Sequence, residues 1–311
     1  MTDSNLSTAE QVSTIWSLGG LTVRQMGKKV FAGINDDNLL GRAAELAFNF
    51  VLALFPLLIF LLSLLGVFAS RGSALRVDLM SYLSSVLPPD AAHVVTNTLQ
   101  EVMRNASNGK ITIGIVLTIW FASGGMSSMV SGLNGVYEVK ETRSFVKVRA
   151  ICFALTIAIS VLIIAALAAV LSGSYVAQIL GNYFGLREAA IVSWRVLQFL
   201  VAIAFVILSF SLIYYYAPDV EEQHWYWITP GSLVGVLLWI AASFAFRAYL
   251  HFFNTYSKTY GSLGAVMILL MWLYVTGFAF LMGGEINAQI EHAAARRGHP
   301  EAKAPGEKKA A

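Results

Sequence analysis

Three ionisable side chains fall within apolar stretches of the sequence, where a charge costs free energy and needs an explanation. Glu45 and Glu285 lie near the ends of two such stretches, and Arg247 lies in a third. A charged group at such a position serves as a structural ion pair or interface anchor, or as part of a substrate or proton pathway. All three lie close to a predicted membrane boundary, and both interpretations stay open.

Nearby arginines offer partners for the two glutamates. Three of them lie in segments predicted to share the cytoplasmic boundary with both glutamates: Arg42, Arg143 and Arg149. We therefore predict that Glu285 forms an ion pair with Arg143 or Arg149, with the charged groups within about 4 Å of each other.

Small residues recur along one side of the second apolar stretch. They form two neighbouring rows, Gly124, Ser128 and Gly132, and Ser123, Ser127 and Ser131. Because small side chains let helix backbones approach closely, the rows predict either tight helix packing or a polar strip that lines a cavity. Asn134 continues the polar character to the cytoplasmic end of this stretch.

A polar connection rich in Tyr, Ser and Gly joins the last two apolar stretches. Tyr256 and Tyr260 suit the aromatic belt at a membrane–water interface. Gly261 and Gly264 allow backbone conformations that are closed to other residues. The segment is predicted to anchor this turn or, alternatively, to bind a lipid headgroup or a protein partner.

Motifs of soluble enzymes are absent from the sequence. The histidines lack the spacing of a hydrolytic zinc site, and neither a phosphate-binding P-loop nor a Gly-x-Ser-x-Gly nucleophile turn is found. The single cysteine, Cys152, excludes an intrachain disulfide. We predict a protein that is not an enzyme, with no catalytic residue, cofactor or metal.

The composition is typical of a membrane protein. Apolar residues make up 57% of the 311 residues, charged residues make up 13%, and the mean hydropathy is +0.66. Six stretches are long enough to cross a bilayer as helices, namely Ala43–Ala69, Ile111–Leu133, Val148–Leu171, Val196–Ala217, Ile228–Leu250 and Gly264–Ile286. They lack the alternating polarity of β-barrel strands. The predicted fold class is an all-α, polytopic membrane protein with about six transmembrane helices.

The positions of the basic residues predict the orientation of these helices. Placing both termini in the cytoplasm assigns the larger share of the 21 Lys and Arg residues to that side. One connection opposes this orientation, because residues 218–227 should then be cytoplasmic but contain acidic residues such as Asp219 and no Lys or Arg. We predict a multi-pass protein with both termini in the cytoplasm.

The chain divides into a membrane domain and two flanking segments. Residues 1–42 are predicted to form a cytoplasmic segment whose short amphipathic helix lies on the membrane or packs on the underside of the bundle. Residues 43–291 form the six-helix domain, in which residues 70–110 are predicted to form an extracytoplasmic amphipathic helical hairpin. Residues 292–311 are predicted to be a disordered cytoplasmic tail.

Three segments together resemble the YihY/virulence factor BrkB family. Arg42–Gly66 is similar to the opening span, Gly132–Ala150 contains Leu-Asn-x-x-Tyr followed by Glu-x-Arg-x-Phe, and Pro230–Glu291 resembles the long closing signature. With the charged positions introduced above, these segments supply the candidate functional or structural polar positions, namely Glu45, Asn134, Tyr137, Glu141, Arg143, Arg247, Tyr260, Gly261, Glu285 and Asn287.

The resemblance implies a six-helix protein of the bacterial inner membrane with links to virulence. For some members it also implies export of lipopolysaccharide precursors or other envelope lipids. Some members carry the label ribonuclease BN. This sequence supplies neither a metal-ligand cluster to activate water nor a basic domain to hold RNA.

Three functions are considered, in order of preference. The first is envelope maintenance or transport of a lipid or other amphiphile. The alternative is a non-transporting membrane scaffold or assembly factor, and a nuclease of the ribonuclease BN type ranks last. The expected partners are membrane lipids, with protein partners or further copies of the chain as additional candidates. No nucleic-acid partner is expected.

Overall fold

The computed structural model describes residues 16–69, 111–171, 187–221, 228–252, 262–299 and 302–308. These residues form seven α-helices and one short 3-10 turn and contain no strand. The helices are α1 (Val23–Asp36), α2 (Leu39–Ala69), α3 (Ile111–Val136), α4 (Phe145–Leu171), α5 (Arg187–Tyr216), α6 (Pro230–Phe252) and α7 (Ser262–Arg296).

The six predicted spans coincide with helices α2 to α7. Within the described residues, four stretches are long and apolar enough to cross a membrane, namely Phe145–Ala169, Val196–Tyr216, Pro230–Leu250 and Val266–Arg296. Large apolar side chains on these helices, including Phe199, Leu237 and Phe244, are exposed, as expected of surfaces that contact lipid. The prediction of an all-α membrane protein is confirmed.

The chain forms two compact units. One consists of Met1–Leu52, Gly124–Leu155 and Ile207–Ala311, and the other of Ala53–Ser123 and Thr156–Val206. In the second unit, the Gln198 side chain donates a hydrogen bond of 2.8 Å to the carbonyl of Ala169, which joins α5 to α4. The charged residues discussed below belong to the first unit.

Helix α1 packs its apolar face against α7. It begins with a capping box, because the Thr22 and Gln25 side chains each bond the other residue's backbone N–H. Met26 and Val30 are buried together with Ile286 and Ile290 of α7. Of the two predicted locations for this helix, the described contacts are those of a helix packed on the bundle.

Glycines allow α6 and α7 to approach at backbone distance. A Cβ atom at Gly231 would lie 2.1 Å from the carbonyl oxygen of Gly283, and one at Gly235 would lie 3.3 Å from the Cα of Gly283. Gly231 and Gly235 are spaced as in the small-xxx-small motif of membrane helix pairs. This pair was not among the predicted packing positions, although its Gly-x-x-x-Gly spacing is visible in the sequence.

The row of Gly124, Ser128 and Gly132 on α3 differs in packing between its two ends. A Cβ atom at Gly132 would lie 3.0 Å from Leu281 of α7, whereas one at Gly124 would have no described atom within 4 Å. Ser128 donates to the carbonyl of Gly124 within the same helix. Close packing of this row is therefore observed at Gly132, towards the end of α3.

The C-terminal region differs from the predicted disordered tail. Helix α7 continues to Arg296, and residues 302–308 contact the rest of the unit. The Lys303 amine lies 3.0 Å from a carboxylate oxygen of Glu291, and the Glu221 N–H donates to the Lys308 carbonyl at 2.8 Å. Ion pairing, which depends on partners remote in the chain, orders this charged segment. The predicted hairpin at 70–110 lies outside the described residues.

Candidate functional site

A network of polar side chains joins four segments of the first unit. It consists of Asn134 at the end of α3, Glu141, Thr142 and Arg143 before α4, Asp219 after α5, and Lys308 near the C-terminus. We call this set the ion-pair network. The chain reverses between α3 and α4 through Glu138, whose φ of 56° is in the left-handed region.

Arg143 and Glu141 form a two-pronged ion pair. The Arg143 Nε donates to Glu141 Oε1 at 2.8 Å, and Nη2 donates to Oε2 at 2.6 Å. Nη2 also donates to the carbonyl of Ala217 at 2.8 Å, so the guanidinium satisfies the exposed end of α5. Burial alone would raise the pKa of Glu141, but hydrogen bonds from Arg143 and Asn134 lower it below its usual value.

Asn134 connects this ion pair to the connection after α5. Its amide group donates to Glu141 Oε2 at 2.9 Å, and its carbonyl oxygen accepts from the N–H of Asp219 at 2.7 Å. The side chain is buried, and these contacts use both ends of the amide. An aspartate at this position would lose the donor and place two carboxylates together.

Asp219 is the most highly coordinated carboxylate of the network. One oxygen accepts from the N–H and the hydroxyl of Thr142, at 2.8 and 2.9 Å, and also pairs with Lys308. The other oxygen lies 3.5 Å from Arg143 Nε. Burial alone would raise the pKa of Asp219, but the bonds from Lys308 and Thr142 and the Arg143 charge lower it to about 2.

A pocket of about 440 Å³ opens beside this network, where α4 begins and α5 ends. Its lining combines charged, aromatic and apolar residues: Thr142, Arg143, Lys147, Ile151, Tyr215, Tyr216, Pro218, Asp219, Val220 and Glu221. Phe145 and Val146, in the first turn of α4, are exposed to 72% and 75%. The pocket therefore lies at a boundary between a polar surface and apolar helix surface.

The structure brings three of the predicted polar positions together and separates the others. Asn134, Glu141 and Arg143 belong to the ion-pair network. The side chains of Glu45 and Arg247 are exposed on α2 and α6. Tyr260 and Gly261 lie outside the described residues.

The predicted ion pair of Glu285 is corrected by the structure. Glu285 is fully buried in α7 and accepts a hydrogen bond of 2.9 Å from Gln289. In the part of the chain that is described, no salt bridge joins it to Arg143 or Arg149. The guanidinium of Arg143 faces Glu141 and Asp219, because the turn after α3 brings Glu141 within its reach.

Tyr137 and Asn287 lie within the helix bundle and are not part of the ion-pair network. Tyr137 is buried, and its pKa is raised well above the usual value by burial and by the charges of Glu291 and Glu285. Asn287 accepts a hydrogen bond from the N–H of Gly231 and donates to Thr229, both at 3.0 Å. It therefore caps the beginning of α6 from a neighbouring helix.

Sequence reasoning did not select Thr142, Asp219 or Lys308 as site residues. The sequence gives one reason to select Asp219, because a carboxylate in a connection without basic residues needs a cation from another part of the chain. No sequence pattern singles out Lys308 as its partner. Within the described residues, no group of three or more His, Cys, Asp or Glu side chains is arranged to hold a metal ion.

Comparison with known proteins identifies the family. The model of a family described as virulence factor BrkB matches residues 30–307. The chain belongs to this family. The match includes every described segment of the ion-pair network except Lys308, so the BrkB-type membrane domain contains nearly the whole site.

Two relatives illustrate the range of this BrkB family. The ribonuclease-like protein YfkH of Bacillus subtilis (strain 168) is 32% identical over 80% of this chain and 89% of its own length. A UPF0761 membrane protein of Xanthomonas oryzae pv. oryzae (strain PXO99A) is 28% identical over 89% of this chain. The match covers 62% of the Xanthomonas protein. No solved structure matches the chain.

Proposed function

We propose that this BrkB-family membrane protein moves or positions an amphiphilic lipid at the cytoplasmic boundary of the bacterial inner membrane. The observation that carries the proposal is the pocket beside the ion-pair network. An amphiphile needs a polar site for its headgroup and an apolar surface for its chains. The pocket adjoins both, because α4 and α5 are membrane-crossing helices by length and composition.

Lys147 is the pocket residue best suited to an anionic headgroup. Arg143 and Asp219 are already paired within the network. In contrast, the exposed Lys147 amine has no ion pair among the described residues. A cationic side chain at a membrane surface attracts anionic lipid with about 1 kcal/mol. The neighbouring Tyr216 is 49% exposed and has the amphipathic character of interfacial aromatics.

The ion-pair network supports the proposal by giving the pocket a fixed wall. It also supports the proposed orientation, because Asp219 pairs with Arg143 and Lys308. The acidic connection, the α3–α4 connection and the C-terminal segment therefore share one end of the first unit. The basic residues of this end favour the cytoplasmic side.

The proposal includes no covalent chemistry. YfkH is named a ribonuclease-like protein. The described residues of this chain have no cluster of metal ligands, and the cations at the pocket are largely paired with carboxylates. Membrane lipids are the partners that the proposal requires.

Lipid exchange in reconstituted vesicles tests the proposal. The wild-type protein should accelerate the transbilayer exchange of a fluorescent anionic phospholipid over that in empty vesicles. Lys147→Ala should slow the exchange about fivefold, which corresponds to ~1 kcal/mol of lost headgroup attraction.

Lys140→Ala is the matched control, because Lys140 is also exposed but does not line the pocket. This control should exchange lipid at the wild-type rate. Equal rates in wild-type and empty vesicles would refute transport. Equal rates for the two lysine variants would refute the assigned headgroup site.

A further inference from the structure

The carboxyl group of Glu285 lies between α7 and α1 in a space that a glycine provides. Glu285 is fully buried. A Cβ atom added to Gly33 of α1 would lie 2.0 Å from Glu285 Oε1, so any larger residue at this position would displace the carboxyl group. The two helices therefore meet at a buried acid rather than at an apolar contact.

The immediate surroundings of Glu285 suit a protonated acid better than a carboxylate. Oε1 accepts one hydrogen bond, from the amide of Gln289. Among the described residues, Oε2 is buried without a hydrogen-bond donor. A buried carboxylate needs several donors or a cation, whereas a protonated carboxyl group is neutral and is itself a donor.

A second carboxyl group completes the contact. Asp37 lies one helical turn after Gly33, and its N–H donates to the Gly33 carbonyl at 2.9 Å, which places it on the side of α1 that meets Glu285. A hydrogen bond between two carboxyl groups requires a proton on one of them. Two neighbouring carboxylates in a buried site also disfavour ionising together. Burial raises the pKa of Asp37 above its usual value.

Other charged or titratable groups face this pair from the neighbouring segments. They are Asp36 from the end of α1, Arg42 from α2, and Tyr137 and Glu138 from the turn after α3. The guanidinium of Arg42 is directed to backbone carbonyls, with 2.8 Å to that of Asp37 and 3.5 Å to that of Ser131. Glu138 adds negative charge, which disfavours a second carboxylate.

We propose that Glu285 and Asp37 form a proton-binding site, at which one proton shared between the two carboxyl groups holds α1 against α7. This site is separate from the lipid pocket and does not depend on the proposed function. The adjacent apolar cluster of Met26, Val30, Ile286 and Ile290 holds the same two helices together. Removal of the proton places two negative charges beside this cluster and loosens α1.

The sign of the pH effect follows from proton linkage. The docked state binds a proton that the separated carboxyl groups release at neutral pH, so docking weakens as the pH rises through the titration of the pair. Low pH keeps α1 docked. The site thus couples the proton concentration on its side of the membrane to the position of an amphipathic helix.

Hydrogen–deuterium exchange of α1 in lipid nanodiscs between pH 5 and pH 9 tests this site. After correction for the intrinsic rate, exchange in residues 23–36 of the wild type should increase at least about tenfold with pH. Glu285→Gln cannot ionise and should remove this increase. Glu291→Gln is the matched control on the same helix, because Glu291 pairs with Lys303 and should leave the increase intact.

Infrared spectroscopy of the same samples gives an independent measurement. The wild type should show the carbonyl band of a protonated carboxylic acid that disappears at high pH, and Glu285→Gln should lack it. If Glu285→Gln does not fold, Asp37→Asn should move the transition to lower pH by about one unit, because the like charge is removed. A pH-independent wild type, or the wild-type pH response in either variant, would overturn the proposal.

Discussion

Asp219 shows how a single carboxylate can hold several chain segments together. It contacts Thr142 and Arg143 before α4 and Lys308 near the C-terminus. The N–H of the same residue bonds Asn134 at the end of α3. Because these partners come from different parts of the sequence, removing the charge should affect the whole end of the unit rather than one turn.

We expect Asp219→Asn to destabilise the protein in a pH-dependent way. The pKa of Asp219 falls from 3.8 to about 2 on folding, so the carboxylate contributes about 2 kcal/mol. This contribution is complete above about pH 4 and is lost as the pH falls through the folded pKa of about 2. Thermal unfolding in detergent should show a lower midpoint for the variant at pH 7 and a narrowing difference below pH 4.

Glu221→Gln provides the comparison for this measurement. Glu221 lies two residues along the same connection, is exposed, and bonds Lys308 through its backbone N–H, which the substitution retains. The thermal unfolding midpoint of this variant should stay close to that of the wild type both at pH 7 and below pH 4. If the unfolding midpoint of Asp219→Asn were lowered by the same amount at every pH, packing rather than charge would explain the effect.

At the scale of the helices, α6 and α7 approach each other at backbone distance through their glycines. Gly231 and Gly235 of α6 face Gly283 of α7. Tyr214 of α5 covers this contact and donates a hydrogen bond of 2.6 Å to the carbonyl of Phe280. The absence of side chains at the glycines is therefore what allows three helices to meet here.

Gly283→Ala should disrupt this contact. The new Cβ atom would lie 2.3 Å from the Tyr214 hydroxyl and 2.5 Å from the carbonyl oxygen of Gly231. Since backbone atoms cannot move aside as a flexible side chain can, we expect a loss of about 1–3 kcal/mol, measured as a lower unfolding midpoint. Gly124→Ala, where no described atom lies within 4 Å of the new methyl group, should be neutral or stabilising. Equal effects of the two substitutions would contradict this explanation.

At the scale of the whole molecule, the ion pairs constrain how the chain crosses the membrane. Asp219 pairs with residues of the α3–α4 connection and of the C-terminal segment. Helix α1 packs against the end of α7 that leads into this segment. The N-terminal helix, two connections and the C-terminal segment therefore belong to the same unit, and we propose that they share one side of the bilayer.

Cysteine labelling tests this topology. In a Cys152→Ser background, Lys140→Cys and Glu221→Cys should react with a membrane-impermeant maleimide only after the inner membrane is opened, because both exposed residues are proposed to face the cytoplasm. Ser174→Cys, in a connection predicted to face outward, should react in intact spheroplasts. Reaction of position 140 or 221 in intact spheroplasts would contradict the proposed orientation.

The helices and the family could be predicted from the sequence, because both depend on information that is local in the chain. A bilayer requires about twenty consecutive apolar residues in a helix, so Val148–Leu171 or Ile228–Leu250 is recognisable without any knowledge of its neighbours. Motifs such as Asn134 to Tyr137 likewise consist of residues close together in sequence. Local patterns also indicated an amphipathic helix before the first span, which is α1.

The partners of the charged residues depended on the folded chain. Glu285 was expected to pair with Arg143 or Arg149, but it faces Gly33 of α1, while Arg143 binds Glu141 and Asp219. Attraction between charges depends on distances of a few ångströms. Such distances are set by how α1 packs against α7 and by where the connections place their side chains, and they cannot be read from the spacing of residues in the sequence. The buried acid between α1 and α7 is therefore a property of the tertiary structure alone.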